Sequence, residues 1–378
     1  MKKYLSCIIL IVLCVVCATI FYVNANDFSQ SENSSVPSQS SAHTSGVSGD
    51  DEEKLAIIER SGTIRSEYLT STSLRIEWSL YKLENEPTLY ISAELYLDTP
   101  EQITSAGSGY ISINGSKRDF TSKPMVGTSN LLFSHSAATK TVGNDEILFE
   151  AYFDAISYTE SGDKLDGIYA SGRVIAREDY SNMQKDALID LDLISKFPEL
   201  PSGDEVTSLC MVLSYLKYKV DKCDLNDLYL AKGPANFTDI FEANAGNPKD
   251  TYNSYGCMPP VIVNAASKYI SINGGRHSAT DISGTDAYEL YYEVSKGNPV
   301  IVWACEEFDT TPSIFRTLII DGKTVYLKSN LNTLVLIGYS LTEKTVTLAD
   351  PSGVIFTMDM ALFEERFSQV GSYAVLIK

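Results

Sequence analysis

Four cysteines, one histidine and a few carboxylates and amides in the second half of this 378-residue sequence are the side chains from which chemistry would have to be built. The cysteines are Cys210, Cys223, Cys257 and Cys305; Cys7, Cys14 and Cys17 lie in an apolar N-terminal run. A catalytic thiol must ionise, which takes a positive environment and a base at hydrogen-bonding distance. The bases on offer are few: His43 and His135 lie upstream, and His277 sits in the Gly-rich stretch Asn273-Gly-Gly-Arg-His277. Those four cysteines include no CxxC pair and the sequence has no HExxH, so neither a zinc site nor any other metal or cofactor is expected. The cysteine spacing from 210 to 305 shows no tight disulfide framework, and buried unpaired thiols are the expectation.

These side chains must be held by regular elements. From Asp204 to Lys217, apolar Val206, Leu209, Cys210, Leu213 and Leu216 fall on one helical face, which assigns Cys210 to a core. Pro259 to Tyr269 reads as a second helix. Pro299-Val-Ile-Val-Trp-Ala304, Leu334-Val-Leu-Ile337 and Thr345-Val-Thr-Leu348 read as buried strands. Between about 54 and 185 the period is two instead: Leu74, Ile76, Trp78 and Leu80 alternate with polar residues, as do Leu89 to Leu97 and Phe149 to Ala155. Asn114-Gly115 signals a tight hairpin. This part is expected to be an all-β sandwich, joined through 186–197 to an α+β domain from about 190 to 378.

The run Phe197-Pro-Glu-Leu-Pro-Ser-Gly-Asp-Glu-Val-Thr-Ser-Leu-Cys-Met-Val-Leu-Ser-Tyr215 resembles the start of the peptidase C-39-like domains, relatives of the bacteriocin-processing cysteine peptidases with a papain-like fold. The likeness continues through Tyr255-Gly-Cys-Met-Pro-Pro, Gly297-Asn-Pro-Val-Ile-Val-Trp303, Leu334-Val-Leu-Ile-Gly-Tyr339 and Leu348-Ala-Asp-Pro351, in order. The resemblance implies a Gly-Cys pair at a helix start, where the helix dipole favours thiolate, with a histidine as base, an aspartate orienting it and a glutamine at the oxyanion. Carried over residue by residue, the nucleophile position falls on Asp204, the histidine on Asn332, the orienting aspartate on Asp350 and the glutamine on Lys196. A carboxylate is a far weaker nucleophile than a thiolate, and an amide shuttles no proton near neutral pH. Removing nucleophile or base alone can cost on the order of a million-fold in turnover. Cys210 lies six residues beyond Asp204 on the same helix, roughly 9 Å along the axis and on another face. Cys257 matches a family cysteine that is not the nucleophile.

Two readings of Asp204 follow. It caps the helix, a role aspartate fills well; or Asp204, Asn332 and Asp350 converge on a polar pocket for a cation or an amide-bearing ligand. The domain is then a pseudoenzyme binding peptide or surface polymer in its former cleft. The alternatives are a hydrolase with a non-standard catalytic arrangement and a structural interaction protein.

Upstream, Lys2 and Lys3 precede a nineteen-residue largely apolar run, Leu5 to Val23, about 29 Å as a helix. Residues 1–25 fit both a cleaved signal peptide and a retained membrane anchor, and either exports the chain to the cell surface or the medium. Ser-rich residues 26–53 read as a disordered linker. With 49 acidic against 30 basic side chains, a formal charge of −19, the chain is not expected to bind nucleic acid.

Overall fold

The structure, a computed structural model, describes residues 56–378 apart from 67–71, 85, 101, 141–143, 156–166, 306–307 and 311. The leader and the Ser-rich linker lie outside the described residues. Among the described residues no helix is long and apolar enough to cross a membrane. The protein is mostly β-sheet with few helices.

Eight antiparallel strands come first: β1 (Ala56–Arg65), β2 (Ser73–Leu83), β3 (Thr88–Asp98), β4 (Gly107–Ile113), β5 (Ser116–Thr121), β6 (Ser129–Lys140), β7 (Asn144–Ala155) and β8 (Ile168–Arg177). They form two four-stranded sheets, ordered β1-β2-β3-β6 and β5-β4-β7-β8. The alternation read from the sequence is the reason: Leu74, Ile76, Trp78 and Leu80 point inward from one sheet, Phe149, Ala151 and Phe153 from the other, into one apolar core. Asn114 and Gly115, both with positive φ (49° and 79°), make the β4–β5 hairpin.

The second part holds α1 (Asp204–Tyr215), α2 (Pro259–Ile272), α3 (Ala287–Ser295) and α4 (Met360–Val370). Its strands are β9 (Asp186–Leu188), β10 (Lys232–Gly233), β11 (Asn244–Ala245), β12 (Ala279–Asp281), β13 (Val300–Cys305), β14 (Ser313–Ile320), β15 (Lys323–Ser329), β16 (Leu331–Ser340), β17 (Thr345–Asp350), β18 (Val354–Asp359) and β19 (Ala374–Ile377). A central sheet runs β12-β19-β13-β16-β17-β18, with β9 also on β16. Every residue of β13 is buried, as a strand covered on both faces must be. Ser208 of α1 donates to the Thr333 carbonyl (3.1 Å), locking the helix onto β16.

Two expectations shift. Residues 186–188 are not only a join: they pair with 338–340 as a strand of the second sheet. Helix α1 stops at Tyr215 rather than Lys217, because Lys217 has φ of 69° and leaves the helical path.

The two parts meet through charge-assisted contacts. Arg60 of β1 pairs with Asp286 (2.6 Å), the N-cap of α3, and lies over the rings of Tyr288 and Tyr180. Arg177 pairs with the buried Glu289 (2.6 Å). Arg173 donates its amide to the Gly284 carbonyl (2.6 Å).

Candidate functional site

The start of α1 is shaped by the turn before it. Gly203 occupies the N-cap position, its carbonyl accepting the Thr207 amide (3.0 Å), and no side chain caps the helix. Asp204 is therefore the first residue inside the helix and not its cap, which corrects the capping reading. The physical reason is local: a Cβ at Gly203 would stand 2.7 Å from the Leu200 side chain, so the close turn requires glycine and the helix begins one residue early. The Asp204 carboxylate is left free to turn outward, and it meets Lys196 Nζ at 2.6 Å.

Lys196 is held from the other side. Its amide donates to the Pro351 carbonyl (2.7 Å), which ties the segment before α1 to the turn ending β17. Asp350 organises that turn, accepting the Ser352 amide on Oδ1 (2.6 Å). Val335 pairs with Ala349, so Asn332 of β16 and Asp350 of β17 lie toward the same end of neighbouring strands. Asn332 Oδ1 accepts the Thr333 amide (2.7 Å).

A cavity of about 590 Å³ opens here, lined by Lys196, Asp204, Glu205 and Asn332. Aromatic rings line it too: Phe241, Tyr255, Phe315 and Tyr373. Phe315 and the neighbouring Arg316, which donates to Tyr255 Oη (2.9 Å), come from the β14–β15 hairpin, an element not anticipated from the sequence. Three of the four expected positions thus share one cavity. The fourth, Asp350, stands beside it, near enough for its charge to act on Asp204.

The electrostatics follow from burial. Desolvation raises the Asp204 carboxyl above its ordinary range; Lys196 opposes this through charge and hydrogen bond, and Asp350 adds to it. The neighbouring Glu205, absent from the sequence reading, is pushed up to about 7, first by burial and then by the Asp204 charge. Its Oε1 accepts the Cys257 amide (3.1 Å). Gly256, at φ of 78°, makes room: a Cβ there would stand 2.2 Å from Glu205 Oε1. The signal available in sequence was the glycine of Tyr255-Gly-Cys257, whose purpose only the fold reveals.

Burial works against a thiolate at the described cysteines. Cys210, Cys257 and Cys305 are buried, Cys223 is half-buried, and none is paired with another described cysteine. Burial pushes Cys210 up to about 12, Cys305 up to about 11 and Cys257 well above its ordinary value. The backbone carbonyl of Cys257 accepts Trp303 Nε1 (2.9 Å). His277 Nδ1 hydrogen-bonds Tyr218 Oη (2.8 Å) and does not line the cavity. His135 lies on β6, with Nε2 against the Ser116 carbonyl (3.0 Å), and His43 falls outside the described residues. Among the described residues no group of three or more His, Cys, Asp or Glu is disposed to hold a metal.

Comparison with known proteins bears on the second part of the chain. Residues 188–375 match the model of the Peptidase_C39 like family. The chain is similar to the uncharacterized protein YvpB of Bacillus subtilis, 29% identical over an aligned length of 189 residues, with 48% of this chain and 71% of that protein covered. It is also similar to a crystal structure described as a C39-like peptidase from Bacillus anthracis, with 27% identity, 52% of this chain and 98% of that one covered, and a TM-score of 0.46.

Proposed function

Because residues 188–375 form a Peptidase C39-like domain, we propose that the chain is an exported pseudoenzyme, a β-sandwich followed by a papain-like domain whose former active-site cleft binds peptide or surface polymer without cleaving it. One observation carries the reading: the position that the resemblance gives to the nucleophile holds Asp204, and the Lys196 ammonium sits against its carboxylate at 2.6 Å. That pair suits a cleft that binds. Asp204 already has a cation on one oxygen, and Asn332, at the histidine position, has no proton to give or take near pH 7. The cavity remains open, which supports binding over mere packing, and its aromatic lining suits an apolar side chain of an extended chain.

One observation favours the hydrolase alternative. Glu205, pushed up to about 7, stands beside Asp204, whose carboxyl is raised too, and a carboxyl that titrates near neutrality is an ingredient of acid–base chemistry. A peptide library incubated with the purified chain separates the two. Binding with no cleavage, abolished by Asp204→Ala, supports the pseudoenzyme; turnover lost in Glu205→Gln or Asp204→Asn overturns it. The substitutions Asp204→Cys, Asn332→His and Lys196→Gln, combined, test the alignment: residue 204 then becomes reactive toward a thiol-directed peptidase probe, and continued inertness counts against the assignment.

A further inference from the structure

Strand β8 is the edge of its sheet, and part of that edge is taken by the rest of the chain. The Arg173 amide donates to the Gly284 carbonyl (2.6 Å) and its carbonyl accepts the Asp286 amide (3.1 Å), so 284–286 bridge to β8 in parallel. Two residues on, the Ile175 carbonyl accepts Arg60 Nη1 (2.7 Å). Along a strand, alternate residues turn their amides and carbonyls to the same edge. The register of β8 on β7 runs without a bulge over 168–177, so Tyr169 and Ser171 address the same edge as Arg173 and Ile175. Among the described residues neither has a backbone partner there. A cavity of about 410 Å³ lies at this open stretch, lined by Ser66, Tyr169 and Ser171 and by Gly371, Ser372 and Tyr373 of the turn after α4. Gly371 and Ser372 (φ of 118° and 52°) reverse the chain between α4 and β19, and Tyr373 becomes a wall common to this cavity and the cleft. Its ring meets that of Phe241, a cleft residue, with centroids 5.9 Å apart.

We propose that the ligand of the cleft is an extended peptide that continues past Tyr373 and adds as a strand to the open edge of β8. The inference rests on the reading of the cleft as a binding site, and it gives the first eight strands a share in that site. Main-chain hydrogen bonding selects the class of ligand: an edge of alternating amides and carbonyls is complementary to another peptide backbone, whereas a glycan backbone carries neither group. Residues 284–286 already use this edge in that way at Arg173. Charge has little part in it. Arg65, the one charged residue lining the cavity at β8, already pairs with Asp98 (2.8 Å), so the peptide is read there by its main chain. The pairs Arg60–Asp286 and Arg177–Glu289 hold β8 against α3, so edge and cleft keep a fixed relation before a peptide arrives.

Random-sequence peptide pools of about four and about twelve residues, roughly 13 and 40 Å when extended, are passed over the immobilised chain. The longer pool is expected to be retained about tenfold more strongly. Ser171→Pro removes one edge amide and no bond to β7, and is expected to cut retention of the longer pool about tenfold while leaving the shorter pool unchanged. Ser171→Ala keeps the amide and is expected to match the unsubstituted chain. A peptide recovered from the longer pool and resynthesised with N-methyl groups on alternate amides is expected to lose binding in one of the two registers, a readout that needs no variant to fold. Equal retention of both pools overturns the proposal and leaves the cleft reading standing, as does a folded Ser171→Pro chain that holds the longer pool undiminished. Retention of the longer pool that survives Asp204→Ala would place the peptide on β8 alone and overturn its continuation into the cleft. Retention of neither pool overturns the proposal together with the peptide reading of the cleft, and peptide-free glycan strands retained instead would make the cleft a polymer site.

Discussion

Lys196 Nζ lies 2.6 Å from Asp204 Oδ1, an ion pair built between the two positions that the family resemblance assigns to an oxyanion glutamine and a nucleophilic cysteine. Each residue alone would be out of place in the cleft. A carboxylate shielded from water needs a cation, and a shielded lysine needs an anion. Together they are compatible, and Asp350, whose charge raises the Asp204 carboxyl, makes the cation more necessary still.

Lys196→Met removes that cation and is expected to destabilise the fold by about 2 kcal/mol, since it strands a largely shielded carboxylate. The double variant Lys196→Met with Asp204→Leu is expected to recover most of the loss. Urea unfolding at pH 7 of both singles and the double gives the coupling directly. A coupling near zero would mean that the pair is a solvated contact without energetic weight.

Glu205 makes stability depend on pH in a predictable direction. Its folded-state pKa of about 7 lies above the ordinary 4.5, so the folded chain holds the proton more tightly than the unfolded one. Its contribution is fully present below about 4.5 and is lost as pH rises through about 7. The urea midpoint is therefore expected to fall between pH 5 and pH 7, and Glu205→Gln, which keeps an acceptor for the Cys257 amide, is expected to flatten that fall. An unchanged slope in the variant would place the titration elsewhere.

The thiols are expected to divide by burial. Among the four described cysteines, Cys223 is the one that is not buried, and a maleimide should modify it first. Cys210, Cys257 and Cys305 are expected to react only when denaturant opens the core. Fast labelling of any of these three in the native chain, read by peptide mapping, would reopen the idea of a recruited nucleophile.

Arg60 joins the first eight strands to α3. Arg60→Ala leaves Asp286 with an unpaired charge and uncovers the Tyr180 and Tyr288 rings, and is expected to cost about 3 kcal/mol. Calorimetry should show the melting temperature fall, and separation into two transitions would mean that the two parts then unfold independently. A melt identical to the unsubstituted chain would show that the contact carries no energy.

Much was legible in the order of residues, because it depends on local periodicity and on short phrases. The period-two runs around Trp78 and Phe149 specified strands with one buried face, and Asn114-Gly115 specified a hairpin. The helix at Asp204 and the buried run of β13 were readable for the same reason: neighbours in sequence decide which face is apolar. The positions Lys196, Asp204, Asn332 and Asp350 were readable as candidates, since they stand at fixed offsets from recognisable phrases. What each side chain does there was not. Asp204 reads in sequence as a helix cap, and becomes the partner of Lys196 only because Gly203 starts the helix one residue early. Glu205 looks like an ordinary acidic residue in a first helical turn until Gly256 and Cys257, some fifty residues away, close over it. Sequence determined which segments form elements and which residue types stand at the site. Charge partners, burial and shifted pKa values were decided by tertiary structure, because they arise from groups that meet only when distant segments pack.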